Sequence, residues 1–143
     1  MHITAIITEY NPFHNGHLYQ IEQIKKRHPE GKIIIVMSGN FAQRGIPCIT
    51  DKYTRSEMVL MSGVDLVLEL PVVYATSSAE HFAIAAVGIL HKSGIVDELC
   101  FGSETPHIEA MQVLADLLLH EPESVSSHIK RLLSDGISYP QAR

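Results

Sequence analysis

Apolar residues in this chain fall into short continuous runs, separated by longer stretches in which they recur every three or four positions. The runs are Ile3–Ile7, Lys32–Met37 with its Ile-Ile-Ile-Val centre, Val64–Leu70 and Val96–Phe101. Short apolar runs bounded by turn residues read as strands buried on both faces. Helices are predicted between them. The first opens at Gly16 and turns Leu18, Ile21 and Ile24 inward; its last turn carries Lys25, Lys26, Arg27 and His28, which suit the negative end of the helix dipole, and Pro29 and Gly31 stop it. Thr54-Arg55-Ser56-Glu57 has the form of a capping box and predicts a helix to Met61, closed by Gly63. Ser77-Ser78-Ala79-Glu80 has the same form. The alanine-rich segment behind it, Ala79–Lys92, is expected to be heavily buried and to end at Gly94. Thr105-Pro106 predicts a cap with proline at the first helical position, for a helix to about Leu119; Glu121-Pro122 starts another that ends at Asp135-Gly136.

The resulting order is β-α-β-α-β-α-β-α-α. Strands alternating with helices call for an α/β fold: a Rossmann-like parallel sheet with right-handed crossovers and helices on both faces. Ligands bind such sheets at the carboxyl ends of the strands. Those ends are Thr8-Glu9, Ser38-Gly39-Asn40, Pro71 and Gly102-Ser103-Glu104. The length predicts one domain over 1–143, with a core to about residue 105 and a helical extension over 106–143.

Composition narrows this only modestly. With 143 residues, 45% hydrophobic and 19% charged, the chain suits a globular α/β protein that buries about two-thirds of its unfolded surface. No apolar run approaches a membrane span, and Met1-His2-Ile3 lacks the basic start of a signal peptide. Cys48 and Cys100 have no paired spacing; two reduced thiols in a cytoplasmic protein are expected. The net charge of −5 argues against this segment alone being a strong nucleic-acid binder.

The chemistry concentrates in Thr8-Glu9-Tyr10-Asn11-Pro12-Phe13-His14-Asn15-Gly16-His17, where the first strand turns into the first helix. A helix start presents free N–H groups and the positive end of the dipole, which favour anions. Neither GxGxxG nor GxxxxGK[ST] is present. In their place stands His14-Asn15-Gly16-His17. It resembles the HxGH signature of the nucleotidylyltransferase superfamily, shared with class I aminoacyl-tRNA synthetases. Attack on the α-phosphate of ATP builds charge on its oxygens and on the departing pyrophosphate; imidazole N–H groups and helix-start amides stabilise that charge. Gly16 lets a nucleotide come close to the backbone. Two other readings stand beside this one. The histidines can simply cap the helix, with one buried; or they can share zinc with His2, His81 or His107, although no cysteine spacing supports a metal site.

Other polar residues at the strand ends are open to two readings. Ser38, Gly39, Asn40, Arg44 and Lys52 are substrate candidates; Lys52 and Arg55 can reach phosphate or belong to a solvated helix start. Glu9 can position water or Mg²⁺, or accept from a nearby amide. Glu69, inside an apolar run, reads as a buried, paired carboxylate. Ser103 and Glu104 can touch ribose or cap the following helix, and Phe13 and Phe41 read as packing more than base stacking. His28, His91, His120 and His128 read as surface or helix-end residues.

The longer string narrows the resemblance. Thr8 to His17, Met37-Ser38-Gly39-Asn40-Phe41-Ala42-Gln43-Arg44-Gly45, Asp51-Lys52-Tyr53-Thr54-Arg55, Asp65 to Pro71 and Phe101-Gly102-Ser103-Glu104 together resemble the tRNA(Met) cytidine acetate ligase family over essentially the whole chain. The resemblance implies activation of acetate by ATP, with Mg²⁺, to acetyl-adenylate and pyrophosphate, then transfer of acetyl to N4 of the wobble cytidine of elongator tRNA(Met). It places the ATP-binding stretch on Thr8 through Ile21: Thr8, Glu9, Tyr10, Asn11, Pro12, Phe13, Asn15, Gly16 and Leu18, joined by Gly102 and Ser103. His14 and His17 become the catalytic pair. Family members are much longer, and Gln141-Ala142-Arg143 carries no stop signal. The resemblance therefore implies a truncated chain, weak or inactive alone, with most of the tRNA surface elsewhere. Two other functions fit HxGH on such a sheet: adenylyl transfer to a small phosphorylated metabolite, as in pantetheine-phosphate or nicotinamide-mononucleotide adenylyltransferases, and nucleotide binding without catalysis.

Overall fold

Ile33 to Ser38 are buried without a break along β2 (Lys32–Ser38), one of the two inner strands of the sheet. Its side chains alternate between two apolar layers, as the two-residue period of a strand requires. Ile33, Ile35 and Met37 join Ile6 of β1 (Ile3–Thr8) against Ile21 and Ile24 of α1 (Asn15–Arg27) and Val59 of α2 (Lys52–Met61). Ile34 and Val36 join Ile3 and Ala5 against Ala75 of α3 (Val72–Ala75) and Ala86 and Leu90 of α4 (Ala79–Ser93). With β3 (Leu66–Leu70) and β4 (Glu98–Leu99), the order is β3-β2-β1-β4, all parallel. The computed structural model describes residues 1–104 and 107–142.

The topology explains the two layers. From β1 through β3 the chain steps in one direction across the sheet, with α1 and α2 on one face. It then returns past β1 to β4, with α3 and α4 on the other face. Crossovers of a single hand demand that change of face when the direction reverses. The reversal sets a switch point between β1 and β4, where open α/β sheets hold ligands at the carboxyl edge.

Several elements differ from the sequence pattern. β4 is two residues long, not the run Val96–Phe101. It is an edge strand with one neighbour; the flanking bonds Asp97 N to Ile3 O (3.0 Å) and Cys100 N to Ala5 O (2.9 Å) mark the limits of its pairing. β3 begins at Leu66, since Asp65 is drawn into a cap: its carboxylate accepts from Ile33 N (2.9 Å) and Lys32 Nζ (2.8 Å). α2 starts before Thr54. Asp51 Oδ1 accepts from Tyr53 N (2.9 Å) and Thr54 N (3.0 Å), and the Thr54 hydroxyl donates to Asp51 Oδ2 (2.7 Å). A carboxylate is the stronger acceptor and its charge suits the helix start, so it wins the cap over threonine.

On α4 the cap is Ser78, whose Oγ accepts from His81 N; Ser77 turns its hydroxyl back to Tyr74 O (2.7 Å). α4 is not heavily buried: Ala86 and Leu90 are covered, while Ile84 is 61% exposed and Val87 44%. A helix laid on one face of a narrow sheet covers a single stripe. The one-turn helices α3 and α7 (Tyr139–Ala142) were not expected. The predicted Thr105-Pro106 helix start lies outside the described residues.

Residues Met1–Gly102 form one compact unit and Ser103–Arg143 a second. In the second, Leu114 and Leu118 of α5 (Ile108–Leu119) and Val125 and Ile129 of α6 (Glu123–Ser134) line an apolar groove of about 540 Å³. Among the described residues no helix is long and apolar enough to cross a membrane.

The single covered stripe of α4 is testable. Leu90→Ala should lower stability by about 3 kcal/mol, the usual cost of emptying a core site, while Ile84→Ala should stay within about 0.5 kcal/mol. Urea denaturation of the chain and the two variants measures both; equal effects would mean α4 is covered on both sides.

Candidate active site

β1 ends at Thr8, and six residues carry the chain to α1. Tyr10 adopts φ +45° with its ring buried, and the Asn11–Pro12 peptide bond is cis. Asn11 shapes this turn: its Oδ1 accepts from Ile49 N at 2.8 Å. The Tyr10 ring meets Phe13 edge-on at 5.1 Å between centroids and lies 4.4 Å from the His17 ring. Phe13 is therefore a packing residue.

His14 is the N-cap of α1, and the two histidines cap the helix reciprocally. His14 Nδ1 accepts from Gly16 N (3.1 Å), and His17 Nδ1 accepts from His14 N (3.2 Å). The rings stack at 3.6 Å. Because each Nδ1 receives a backbone N–H, a neutral ring must carry its proton on Nε2. Burial, then the charge of His14, hold the His17 imidazole below its ordinary range. The pair thus offers Nε2–H donors at a helix start, the arrangement that recognises phosphate. Gly16 has a role the sequence did not indicate: a Cβ there would stand 3.0 Å from Cε1 of His14 and crowd the capping ring. Burial, then the charge of Cys100, push the Tyr10 phenol up to about 12, and its Oη has no hydrogen-bond partner in the structure.

Arg55 holds the neighbouring strand ends together. It is fully buried on α2. Its Nη1 donates to Glu9 O (2.7 Å) and Ser38 O (3.1 Å), its Nη2 to Gly39 O, and its Nε to Thr50 O (3.3 Å). This corrects both sequence readings, phosphate ligand and solvated helix start. The helical period puts Arg55 on the stripe of buried Val59, four residues on, and that was the available signal. Glu9 accepts from Gln43 N (2.5 Å), so of its two readings the amide contact is the one found.

Of the substrate candidates after β2, Ser38 and Lys52 line a cavity of about 260 Å³, together with Met37, Ser56, Val67 and Glu69. Ser38 is fully buried and its Oγ has no hydrogen-bond partner. Gly39 lies under Glu69, whose Oε1 would stand 2.3 Å from any Cβ placed there. Asn40 Oδ1 accepts from Lys52 N (3.0 Å). Lys52 Nζ donates to Glu69 Oε2 (2.6 Å), the chief reason its ammonium titrates above the ordinary lysine range. Glu69 is paired but not buried, its side chain 47% exposed. It stands at the open carboxyl end of β3, where the sheet no longer covers it.

The remaining candidates scatter. Thr8 and Leu18 are half-buried; Asn15 and Pro12 are exposed. Arg44 is exposed in the loop that Phe41 and Pro47 bridge, and Phe41 is exposed with it. Gly102 is exposed at the end of the first unit, and Ser103, also exposed, opens the second. Gln20, which sequence reasoning passed over, donates to Cys100 O (3.5 Å) and so links α1 to the end of β4. Two of the partners offered for a shared zinc stand elsewhere: His81 pairs with Ser78, and His2 sits at the amino end of β1 with His28 and Glu98.

Comparison with known proteins agrees with this geometry. The sequence profile of the HIGH nucleotidyl transferases matches residues 1–143. The tRNA(Met) cytidine acetate ligase of Clostridium novyi is 51% identical over 100% of this chain and 36% of its own length. That of Alkaliphilus metalliredigens is 50% identical over 100% and 34%. The crystal structure of apo Thermotoga maritima TmcAL superposes with TM-score 0.91 at 45% identity, covering 100% of this chain and 34% of that one. The same protein bound with alpha-thio ATP gives TM-score 0.89 at 45% identity, over 100% and 35%. The chain thus spans about a third of the length of the relatives it matches.

Arg55→Met should cost about 3 kcal/mol in urea denaturation, since it leaves several buried carbonyls without donors. Arg55→Lys should recover only part of this, because an ammonium lacks the planar fork. A loss below about 0.5 kcal/mol would reduce Arg55 to an ordinary surface residue. The His17 imidazole should titrate below an ordinary histidine by NMR. Since the folded state then prefers the neutral ring, acid should weaken folding as pH falls through the ordinary histidine range toward the depressed value. His14→Ala should move His17 back up, as it removes the charge of His14.

Proposed function

Because the chain belongs to the HIGH nucleotidyl transferase family, we propose that it is the ATP-binding, adenylate-forming part of a tRNA(Met) cytidine acetate ligase. The observation that carries this reading is the reciprocal capping of His14 and His17, which leaves two Nε2–H donors beside the helix start. ATP as the nucleotide is supported by the α-thio ATP complex of the T. maritima relative, and acetate and tRNA(Met) by the names of the curated relatives; a cytoplasmic setting goes with the proposed tRNA substrate.

In the proposed reaction an acetate oxygen attacks the α-phosphorus of ATP and the bond to the bridging oxygen breaks. Acetyl-adenylate forms and pyrophosphate leaves. The N4 amine of the wobble cytidine then attacks the acetyl carbon, releasing AMP and one proton. Charge grows on the α-phosphate oxygens in the first step, and His14 and His17 donate to it without reorganising, because backbone amides already fix their rings. Thr8 to Phe13, Asn15, Gly16, Leu18 and Gly102 form the proposed nucleotide-binding set within the first unit. Acetate enters from the β2 side, where Lys52 Nζ and the unpaired Ser38 Oγ suit a carboxylate and Met37 and Val67 suit its methyl group. Mg²⁺ accompanies the triphosphate as a charge carrier. Glu9 is taken by Gln43 N, and among the described residues the one convergence of three metal donors lies elsewhere; no step runs through a protein-held Mg²⁺ here.

In the protein at its relatives' length, pyrophosphate should exchange into ATP only when acetate is present. His17→Ala should lower that exchange about 10²–10³-fold, the scale of losing one transition-state donor; a change under about threefold would make His17 purely structural. Formation of a dinucleotide product without acetyl-adenylate would favour adenylyl transfer to a phosphorylated acceptor instead. Lys52→Ala should raise KM for acetate about tenfold with little change in kcat, and an unchanged KM would remove Lys52 from the acetate pocket.

A further inference from the structure

At the edge of the sheet opposite the HxGH turn, three ligand-type side chains converge from three elements. His2 precedes β1, His28 caps the end of α1, and Glu98 opens β4. His2 Nε2 and His28 Nε2 each lie 3.2 Å from the same oxygen, Glu98 Oε2. All three donor atoms lie within 4.8 Å of one another. We propose that His2, His28 and Glu98 form a binding site for a zinc-class divalent transition metal, which would pin the short edge strand β4 to β1 and α1.

Metal–ligand bonds of about 2.0–2.2 Å put neighbouring donors of a tetrahedral site about 3.3–3.6 Å apart. The two Nε2–Oε2 separations of 3.2 Å fall just short of that range. Two imidazoles and a carboxylate make a donor set suited to zinc, with the fourth position left to water. The backbone prepares the site. Lys32 N donates to His2 O (2.8 Å), Gly31 N to His28 O (2.9 Å) and Ile3 N to Asp97 Oδ2 (2.8 Å). Gly31 lets these segments close, as a Cβ there would stand 2.9 Å from that of His28 and 3.2 Å from His2 O. Two features set its strength. The imidazoles stack at 3.7 Å between centroids, closer than two rings on one tetrahedral ion, so loading requires the His2 ring, 34% exposed in its side chain, to swing outward. Arg27 Nη1 holds the other oxygen, Glu98 Oε1, at 2.6 Å and competes with a cation.

Titration of this chain with Zn²⁺ against a chromophoric chelator should give one equivalent bound per chain. His28→Ala and Glu98→Gln should each weaken binding at least about tenfold, and Arg27→Gln should tighten it, because it frees the carboxylate. His91→Ala, an exposed histidine on α4, should change nothing. If Glu98→Gln does not fold, His2→Ala reports instead, since the backbone bond from Lys32 N survives it. No binding at about 0.1 mM Zn²⁺, a free energy near 5.5 kcal/mol on the standard scale, or binding that His28→Ala and His2→Ala leave unmoved, would overturn the site. The three groups would then be joined by shared protons alone.

Discussion

The carboxyl edge of this sheet depends on one buried cation. Arg55 is fully buried without a carboxylate beside its guanidinium; carbonyl oxygens from the ends of β1 and β2 and from the loop before α2 accept from it instead. Strand ends carry carbonyls that the ladder no longer satisfies, and burying them unpaired is costly. A planar fork of N–H donors satisfies several at once, which a single ammonium cannot do. The same contacts set the distance between the two loops that bear Glu9–His17 and Ser38–Asn40. Packing, hydrogen bonding and site geometry thus share one side chain.

The histidine pair shows a similar economy. Capping a helix and presenting donors to phosphate usually call on different atoms. Here Nδ1 of each ring does the first and Nε2 is left for the second. The cap fixes the tautomer, and partial burial of His17 keeps it neutral. Gly16 belongs to this device, for it gives the His14 ring room to fold back onto the helix start. Tyr10, held at positive φ beneath the His17 ring, supplies the apolar surface on which the pair rests. A non-glycine residue in that conformation costs about 1–2 kcal/mol, which only a well-packed surrounding sustains.

The two edges of the sheet carry different chemistry for a topological reason. Parallel strands gather all their carboxyl ends on one side and all their amino ends on the other. Loops with HxGH, Ser-Gly-Asn and Gly102 emerge on the first. On the second, the start of β1, the end of α1 and the start of β4 meet, and a glutamate binds two histidines and an arginine. That cluster also supports β4, the weakest strand, which pairs through only two residues.

The sequence by itself determined the strand cores, the alternation of strand and helix, and the position of the histidine pair. Each rests on local chemistry: apolar runs, glycine and proline punctuation, and two imidazoles three residues apart at a strand-to-helix turn. It did not determine which of two plausible acceptors caps a helix. Asp51 displaced Thr54 as the stronger acceptor once its loop reached the helix start, and Ser78 took the cap because Ser77 turns back to Tyr74 O. It also could not say that Arg55 is buried, that Glu69 is exposed, or that β4 pairs through only two residues. A charged residue on an apolar stripe becomes tolerable only when carbonyls from distant segments converge on it, and an edge strand stops where its single neighbour stops holding it. Those are properties of the assembled sheet, and only the tertiary structure decided them.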